Sequence, residues 1–291
     1  MKVVNIKPRG YCYGVMNAIS TVTNAINSDV PKPINIYGML IHNRKVVEAL
    51  TAKGVNTIIN PSISDLETIE GTVIFTAHGI RDNIIAKAKN LGLHVIDATC
   101  RDVIKTKNII DDLCRDGYQV VYIGKKNHPE AISATGNKNV ILVENIEELR
   151  KIDYSKKTAI TNQTTMSIID LKSFYEYIER SHPGTMIIDE ICNATRRRQS
   201  AVIDSEVELL YVVGDFHSNN TRNLASLHQN SRLIESIEDI NESDLYDDLI
   251  VGVTAGASTP SVLIDEIIEY LEDYPNVQKK SNISSRNILD K

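Results

Sequence analysis

The chain has 291 residues, of which 42% are apolar and 24% are charged, and its net charge is −6. This composition is typical of a globular protein, and the length allows two or three domains or one large one. A pI of about 5.7 argues against a nucleic-acid binder, since such proteins carry basic faces. The sequence shows neither a membrane-length apolar segment nor a secretory signal. It therefore favours the cytoplasm, with no membrane partner.

Short runs rich in Val and Ile alternate with longer amphipathic patterns. Continuous apolar runs of this kind are typical of parallel strands that are buried on both faces. Strands are predicted over Val3–Ile6, Val73–Thr76, His94–Asp97, Gln119–Ile123, Val140–Val143, Thr158–Thr161, Met186–Asp189, Leu209–Val213 and Leu249–Val253. Helical periodicity between these runs indicates an α/β fold with mainly parallel sheets.

Three cysteines recur at similar intervals. Cys12, Cys100 and Cys192 are separated by 88 residues (12 to 100) and 92 residues (100 to 192), and each stands between a strand-like run and a helical pattern. This spacing predicts three comparable α/β units, over residues 1–98, 99–190 and 191–274, followed by a polar tail over 275–291. Ligands of such sheets bind at the carboxyl ends of the strands, where the thiols are expected to meet. Three unrelated buried cysteines are the alternative.

The wide separation of these cysteines decides which metal they suit. Zinc is usually held by closely spaced cysteine pairs, whereas iron–sulfur clusters accept distant thiolates, usually four. Three ligands on a four-iron cluster would leave one iron open, able to act as a Lewis acid as well as an electron carrier. The fourth cysteine, Cys114, lies on an amphipathic pattern and is predicted to be a core residue.

Polar residues collect near the predicted strand ends. His42, His78 and His128 stand in short loop motifs, where an imidazole can hold a phosphate or be an ordinary loop residue. Glu130 can donate protons if burial raises its pKa, and a surface helix cap is the alternative. Three further strand ends carry small donors that suit a diphosphate, although helix capping alone also explains them; they are Thr161–Thr165, Gly214–Thr221 and Thr254–Pro260.

Nine short segments, between Arg9 and about Leu271, resemble in residues and order the motifs of the LytB or IspH family, the 4-hydroxy-3-methylbut-2-enyl diphosphate reductases. One such motif would be weak evidence, but nine in the same order are highly specific. The segments are Arg9–Val15, Leu40–Asn43, Thr76–Gly79, Asp97–Cys100, His128–Glu130, Gln163–Thr165, Ile191–Thr195 followed by Arg198 and Gln199, Ser218–Asn220, and Gly256–Ser258.

The resemblance implies three α/β units in a pseudo-threefold arrangement around one central 4Fe–4S cluster, held by Cys12, Cys100 and Cys192 with one iron open. It implies an oxidoreductase that removes the substrate hydroxyl as water, using two electrons and two protons. The products would be isopentenyl and dimethylallyl diphosphate, in the last step of the non-mevalonate (methylerythritol phosphate) isoprenoid pathway. Ferredoxin or flavodoxin would donate the electrons, and the protein would be a monomer or homodimer.

The resemblance also implies roles for individual residues. Glu130 would supply protons, with Thr164 and His128 as further catalytic residues. The diphosphate-binding set would be His42, His78, His128, Thr164, Thr165, Ser218, Asn219, Asn220 and Ser258.

Three departures from the family pattern keep other functions open. Arg101 stands where the family usually has proline, Asn219 replaces a serine, and Ala131–Ala134 replaces Val-Glu-Gly-Thr. The main alternative is a divergent iron–sulfur homologue that acts as a redox or iron sensor or on another diphosphate. A zinc-stabilised binding protein and a hydro-lyase that needs no reductant are the others.

Overall fold

The computed structural model describes residues 1–136, 138–281, 283 and 288–289. Its strands are β1 (Lys2–Asn5), β2 (Ile34–Tyr37), β3 (Val55–Ile58), β4 (Thr72–Phe75), β5 (His94–Asp97), β6 (Gln119–Ile123), β7 (Val140–Val143), β8 (Thr158–Asn162), β9 (Met186–Ile187), β10 (Leu209–Val213), β11 (Ser231–Ile234) and β12 (Ile250–Ala255). Its α-helices are α1 (Tyr13–Ile26), α2 (Arg44–Thr51), α3 (Asp82–Asn90), α4 (Arg101–Arg115), α5 (Pro129–Ala134), α6 (Ile146–Leu149), α7 (Ile168–Ser181), α8 (Asn193–Ile203), α9 (Asn219–Ala225) and α10 (Ser261–Asp273).

The strands form three four-stranded sheets. Their orders are β1-β12-β10-β11, β5-β4-β2-β3 and β9-β8-β6-β7. The registered strand pairs are parallel in all three sheets. The prediction of an α/β fold with mainly parallel sheets is therefore confirmed.

One order of strands recurs in the three sheets. Places are counted in the sheet orders given above. In two sheets, formed by β2 to β5 and by β6 to β9, the strand in the third place comes earliest, and the strands in the fourth, second and first places follow it in that sequence. In the remaining sheet β10, β11 and β12 follow the same sequence, but the first place is taken by β1, where Lys2 pairs with Ile250. The range predicted for the first unit, residues 1–98, instead groups β1 with β2 to β5.

Each sheet packs apolar helices against continuous apolar strands. In the sheet of β10 and β12, the α10 residues Ile264 and Ile267 share a core with Val251 and Val253. In the sheet of β6 and β8, the α7 residues Leu171, Phe174 and Ile178 share a core with Val121 and Ile160. Burial on both faces explains why these strands carry no alternation of polar residues.

Three strands that the sequence pattern does not reveal contain polar residues. They are β2, β3 and β11, in which asparagine, threonine, serine or arginine interrupts the apolar run. Asn35 in β2 is nonetheless buried, because its Nδ2 donates a 2.9 Å hydrogen bond to the carbonyl oxygen of Glu70. A satisfied buried amide therefore conceals this strand from the apolar pattern.

The chain divides into two compact units. One comprises Met1–Ile26, Ile41–Thr57 and Asn193–Lys291, and the other Asn27–Leu40 and Ile58–Cys192.

Much of the predicted polar tail, 275–291, lies outside the described residues. Within the described part of that tail, Ile288 is buried and its carbonyl oxygen accepts a 2.9 Å hydrogen bond from Tyr11 Oη. None of the helices in the described ranges has both the length and the apolar composition that crossing a membrane requires.

Candidate active site

The three cysteines predicted to bind the cluster occupy the same position relative to a helix. Cys12, Cys100 and Cys192 immediately precede α1, α4 and α8. Each is half-buried, and the four cysteines of the chain are thiols rather than disulfides. The partial positive charge at a helix N-terminus favours the thiolate form, which is the form that binds metal. The donor chemistry at these positions therefore fits an iron–sulfur cluster.

The three cysteines are also held by the same backbone contact. Each cysteine N–H donates to a carbonyl group that lies two residues beyond the end of a strand. These strands, β12, β4 and β8, each hold the second place in the sheet orders given above. The bonds run from Cys12 to Ala257 (3.1 Å), from Cys100 to Ala77 (3.0 Å) and from Cys192 to Thr164 (3.1 Å). The three positions are thus structurally equivalent, although their local sequences differ.

Cys114 has no such position. It lies near the end of α4, half-buried against the core that includes Ile110 and Leu113. Burial raises the pKa of its thiol, which disfavours the thiolate. This placement agrees with its prediction as a core residue.

A buried carboxylate joins the segments that carry Cys100 and Cys192. Glu190 accepts hydrogen bonds from Lys105 Nζ (2.8 Å) and Thr106 Oγ1 (3.1 Å), both on the helix that begins after Cys100. Its own N–H donates to Asn162 Oδ1 at 2.9 Å. Glu190 therefore links the approach to Cys192 with α4, in the manner of the outer contacts that orient metal ligands.

Glu130 lies in a closed polar environment. The side chain, 2% exposed, accepts hydrogen bonds from Thr164 N–H (2.7 Å) and Tyr122 Oη (3.2 Å) at Oε1. Its Oε2 accepts a 2.9 Å bond from Thr164 Oγ1. The carbonyl oxygen of the same threonine receives the Cys192 N–H. A chain of direct contacts thus connects Glu130 to the Cys192 loop.

Burial raises the pKa of Glu130 from 4.5 to about 7. The hydrogen bonds from Thr164 and Tyr122 oppose this rise because they stabilise the carboxylate, while the charge of Asp102 adds to it. A carboxyl group with this pKa holds its proton in about half of the molecules at pH 7, which suits a general acid. The surface-cap interpretation of Glu130 is therefore wrong, since the group is buried.

His128 caps α5 and has a defined hydrogen-bonding role. Its Nδ1 accepts the Glu130 N–H at 3.2 Å, so in the neutral ring Nε2 carries the hydrogen and is a donor. The rings of His78 and His128 meet edge to face, with centroids 5.4 Å apart. Two of the three predicted loop histidines are therefore neighbours within one unit.

Five further predicted residues lie in the other unit. Ser258 Oγ donates to the carbonyl oxygen of His42 at 2.9 Å, and Ser218 caps α9. Asn219 is buried, and its Nδ2 has no partner in the described part of the chain. An unpaired buried amide donor is costly, so this nitrogen is suited to an acceptor-rich ligand. Asn220 Oδ1 accepts a 3.2 Å bond from Thr195 Oγ1.

Burial also alters the protonation of His42. Its pKa lies below the ordinary value, mainly because burial disfavours the charged ring, with smaller contributions in the same direction from Arg222 and His217 and an opposing one from Asp215. The neutral ring retains one N–H donor. His42 can therefore donate a hydrogen bond to phosphate without carrying a full charge.

The predicted site residues repeat in the three sheets in the same way as the cysteines. Three stand five residues beyond the third strand of a sheet, and three others stand three residues beyond the second strand. The first set is His42, His128 and Ser218, and the second is His78, Thr165 and Ser258. The repeat is visible only from the observed strand ends, because β2, which precedes His42, was not among the predicted strands.

The departures from the family pattern leave the contacts of Glu130 intact. Ala131 is buried in the same core as Tyr122, and Ser133 is buried close to Gly79. Neither hydrogen-bonds the Glu130 carboxyl, whose partners in the described chain are Tyr122 and Thr164. Arg101 is the exposed first residue of α4.

Sequence reasoning did not identify Tyr122 or Glu190. Their contacts reach across 8 and about 85 residues of chain, respectively, and such distant pairs leave no periodic pattern. The only available signal for Tyr122 was a tyrosine within an otherwise aliphatic buried strand.

Comparisons with known proteins give a consistent result. The sequence profile of the family described as LytB protein matches residues 3–272. The 4-hydroxy-3-methylbut-2-enyl diphosphate reductase of Symbiobacterium thermophilum is 43% identical over 288 residues, covering 94% of this chain and 98% of its own. The reductase of the same name from Brevibacillus brevis is 42% identical and covers 99% of both chains.

Solved structures also resemble this chain. The E-1-hydroxy-2-methyl-but-2-enyl-4-diphosphate reductase from Plasmodium falciparum superposes with a TM-score of 0.88 at 29% identity, over 94% of this chain and 89% of its own. A structure described as (E)-4-hydroxy-3-methyl-but-2-enyl diphosphate reductase, the terminal enzyme of the non-mevalonate pathway, gives a TM-score of 0.68 at 30% identity. The match covers 94% of this chain and 100% of that structure's chain.

Proposed function

This chain belongs to the LytB protein family, and on that premise we propose that it reduces 4-hydroxy-3-methylbut-2-enyl diphosphate to isopentenyl and dimethylallyl diphosphate. This oxidoreductase reaction is the terminal step of the non-mevalonate pathway. The observation that carries the proposal is the buried Glu130 acid, joined through Thr164 to the loop of Cys192. A sensor has no need of such a proton donor.

Cys12, Cys100 and Cys192 hold one 4Fe–4S cluster, with one iron lacking a cysteine ligand. Their equivalent positions before three helices, and the thiolate that a helix N-terminus favours, support this assignment. When bound, the cluster supplies electrons and an open iron for the substrate hydroxyl.

Glu130 and Thr164 deliver protons. The reaction consumes two electrons and two protons and releases the substrate hydroxyl as water. With a pKa of about 7, Glu130 can give its proton to the Thr164 hydroxyl 2.9 Å away, which passes its own hydrogen to the leaving group. His128 orients this acid by accepting the Glu130 N–H, so its role is to position the acid as well as to bind substrate.

The diphosphate is bound by neutral donors. We assign this role to His42, His78, His128, Thr164, Thr165, Ser218, Asn219, Asn220 and Ser258. The neutral state favoured for His42 supports it, as does the Nδ2 of Asn219, which has no partner among the residues that the structure describes; both offer hydrogen bonds to phosphate oxygens. Asparagine in place of the usual serine at 219 thus keeps a donor.

The partners follow from the reaction. A ferredoxin or flavodoxin supplies the electrons, and the protein works in the cytoplasm as a monomer or homodimer. Four cysteines kept as thiols are consistent with a reducing compartment.

Oxidation of reduced methyl viologen by anaerobically prepared protein tests this function. We expect oxidation only after addition of 4-hydroxy-3-methylbut-2-enyl diphosphate, and loss of both turnover and bound iron in Cys12→Ser. Cys114→Ser is the matched control, since Cys114 is a core residue, and it should retain both. A protein with a full 4Fe–4S cluster and no substrate-dependent oxidation would refute the proposal.

A further inference from the structure

Tyr122 on β6 is a buried phenol with a specific partner. It is 0% exposed, and its Oη donates a 3.2 Å hydrogen bond to Glu130 Oε1. The ring packs in a core with Ile110, Leu113 and Ala131, which restricts its movement. The hydroxyl group is therefore held at one carboxyl oxygen.

The two oxygens of Glu130 differ in their surroundings. Oε1 receives two donors, the Thr164 N–H at 2.7 Å and the Tyr122 hydroxyl at 3.2 Å. Oε2 has one partner in the described part of the chain, the Thr164 hydroxyl at 2.9 Å. A backbone N–H is only a donor, so a proton on Oε1 would point at another hydrogen. The Thr164 hydroxyl, in contrast, can both donate and accept.

We propose that Tyr122 is a positioning residue for proton transfer: together with the Thr164 N–H it reserves Oε1 as an acceptor and directs the transferable proton to Oε2. This role rests on the proposed function. In the transfer the Oε2–H bond of Glu130 breaks, and Thr164 Oγ1 accepts that proton. Thr164 then gives its own hydrogen to the departing substrate hydroxyl, which leaves as water.

The same contact stabilises the product of the transfer. Glu130 becomes a carboxylate, and the Tyr122 hydroxyl bond to Oε1 strengthens because hydrogen bonds to ionised acceptors are stronger than neutral ones. Two other groups affect the charge, and a third contacts the backbone of Glu130. Asp102 disfavours the carboxylate, whereas Thr164 favours it, and His128 accepts the Glu130 N–H through Nδ1.

Infrared spectroscopy of the anaerobic holoprotein reads the hydrogen bond without turnover. The C=O stretch of protonated Glu130, recorded below pH 6, is identified as the band that Glu130→Gln removes. We expect Tyr122→Phe to move this band to higher frequency, since Oε1 loses a donor. Tyr211→Phe is the matched control: Tyr211 is equally buried on β10, and its hydroxyl has no partner among the described residues.

Kinetics give the second measurement. The Tyr122 hydrogen bond lowers the pKa of Glu130, so in Tyr122→Phe the decline of kcat/KM at alkaline pH should move upward by about one pH unit, equivalent to about a tenfold change in acid dissociation constant. Tyr211→Phe should leave both readouts unchanged. Retention of iron confirms that the cluster site is intact.

The outcomes separate this role from the function on which it rests. An unshifted band and an unshifted pH profile in Tyr122→Phe, with normal turnover of the parent, overturn the role of Tyr122 alone. A parent protein without substrate-dependent turnover overturns the proposed function and this role with it. If Tyr122→Phe does not fold, 3-fluorotyrosine at position 122 keeps the ring and strengthens the donor. It should lower the frequency of the band, and an unshifted band overturns the proposal.

Discussion

The pKa of Glu130 predicts how the reductase activity depends on pH. Only the protonated acid can donate, so kcat/KM should follow the protonated fraction of Glu130 in the free enzyme. With a pKa of about 7, this fraction is about nine-tenths at pH 6, about one-half at pH 7 and about one-hundredth at pH 9. We therefore expect kcat/KM to fall by roughly 90-fold between pH 6 and pH 9.

The assay is substrate-dependent oxidation of reduced methyl viologen across this pH range, with bound iron measured at each pH. The terminal phosphate of the substrate has its last pKa near 6 and is about nine-tenths ionised at pH 7, so the decline above pH 7 reports the enzyme. Thr164→Val provides the comparison. It removes the hydroxyl bond that lowers the pKa of Glu130, so the decline should start at a higher pH and from a lower plateau.

A constant kcat/KM from pH 6 to pH 9, with iron content unchanged, would refute this reasoning. Glu130 would then titrate outside that range or would not be the group that donates the proton in the limiting step. A decline that is identical in Thr164→Val and in the parent would show that the Thr164 hydroxyl does not influence the acid.

Three further predictions concern stability. Between its unfolded pKa of 4.5 and its folded pKa of about 7, Glu130 holds a proton in the native state that the unfolded chain has released, so native stability falls as pH rises. Denaturant unfolding should show the parent losing about 3 kcal/mol relative to Glu130→Gln between pH 4 and pH 8. The same dependence of unfolding free energy on pH in both proteins would contradict this. Glu190→Ala should lower the melting temperature by several degrees, as expected for a loss of about 2 kcal/mol. The decrease should exceed that of Lys105→Ala, because the lysine side chain is 64% exposed and the glutamate side chain 6%. Equal decreases would show that the buried glutamate is not the more important member of the pair. Gly256→Ala would place a methyl group against Thr221 Oγ1 and should lower the free energy of unfolding by about 1–3 kcal/mol. Adding Thr221→Ala should restore this stability in the double variant. Thermal unfolding of the two single variants and the double variant measures the effect, and additive losses of stability would contradict the overlap.

Much of the fold could be predicted because the central strands of its sheets are buried on both faces. Val120, Val121 and Ile123 of β6, for example, form a run that fits no other element at that length. Strands such as β2 and β11 could not be predicted in this way. Asn35 satisfies its amide against a distant carbonyl, and only the folded chain brings that carbonyl near.

The candidate site was predictable to a different extent. The intervals between the cysteines indicated three equivalent positions, and the backbone contacts of Cys12, Cys100 and Cys192 agree with that equivalence. The partner of the first strand was not predictable from those intervals, because β1 pairs with β12 rather than with a strand of its own neighbourhood. The environment of Glu130 depends on Tyr122 and Thr164, whose contacts are set by the sheet and not by spacing.

The pairing of β1 with β12 has a consequence for the order in which the protein is made. The edge strands that precede Cys100 and Cys192, β5 and β9, pair with residues that are close in the chain, such as His94 with Thr72 and Met186 with Ala159. Lys2, in contrast, pairs with Ile250, so the Cys12 loop gains its backbone contact only after synthesis has passed residue 257. Long-range pairs form late because the chain between them must first be closed. The first cysteine to leave the ribosome is therefore the last whose loop is held in place, and the proposed cluster site would be complete only once nearly the whole chain has been translated.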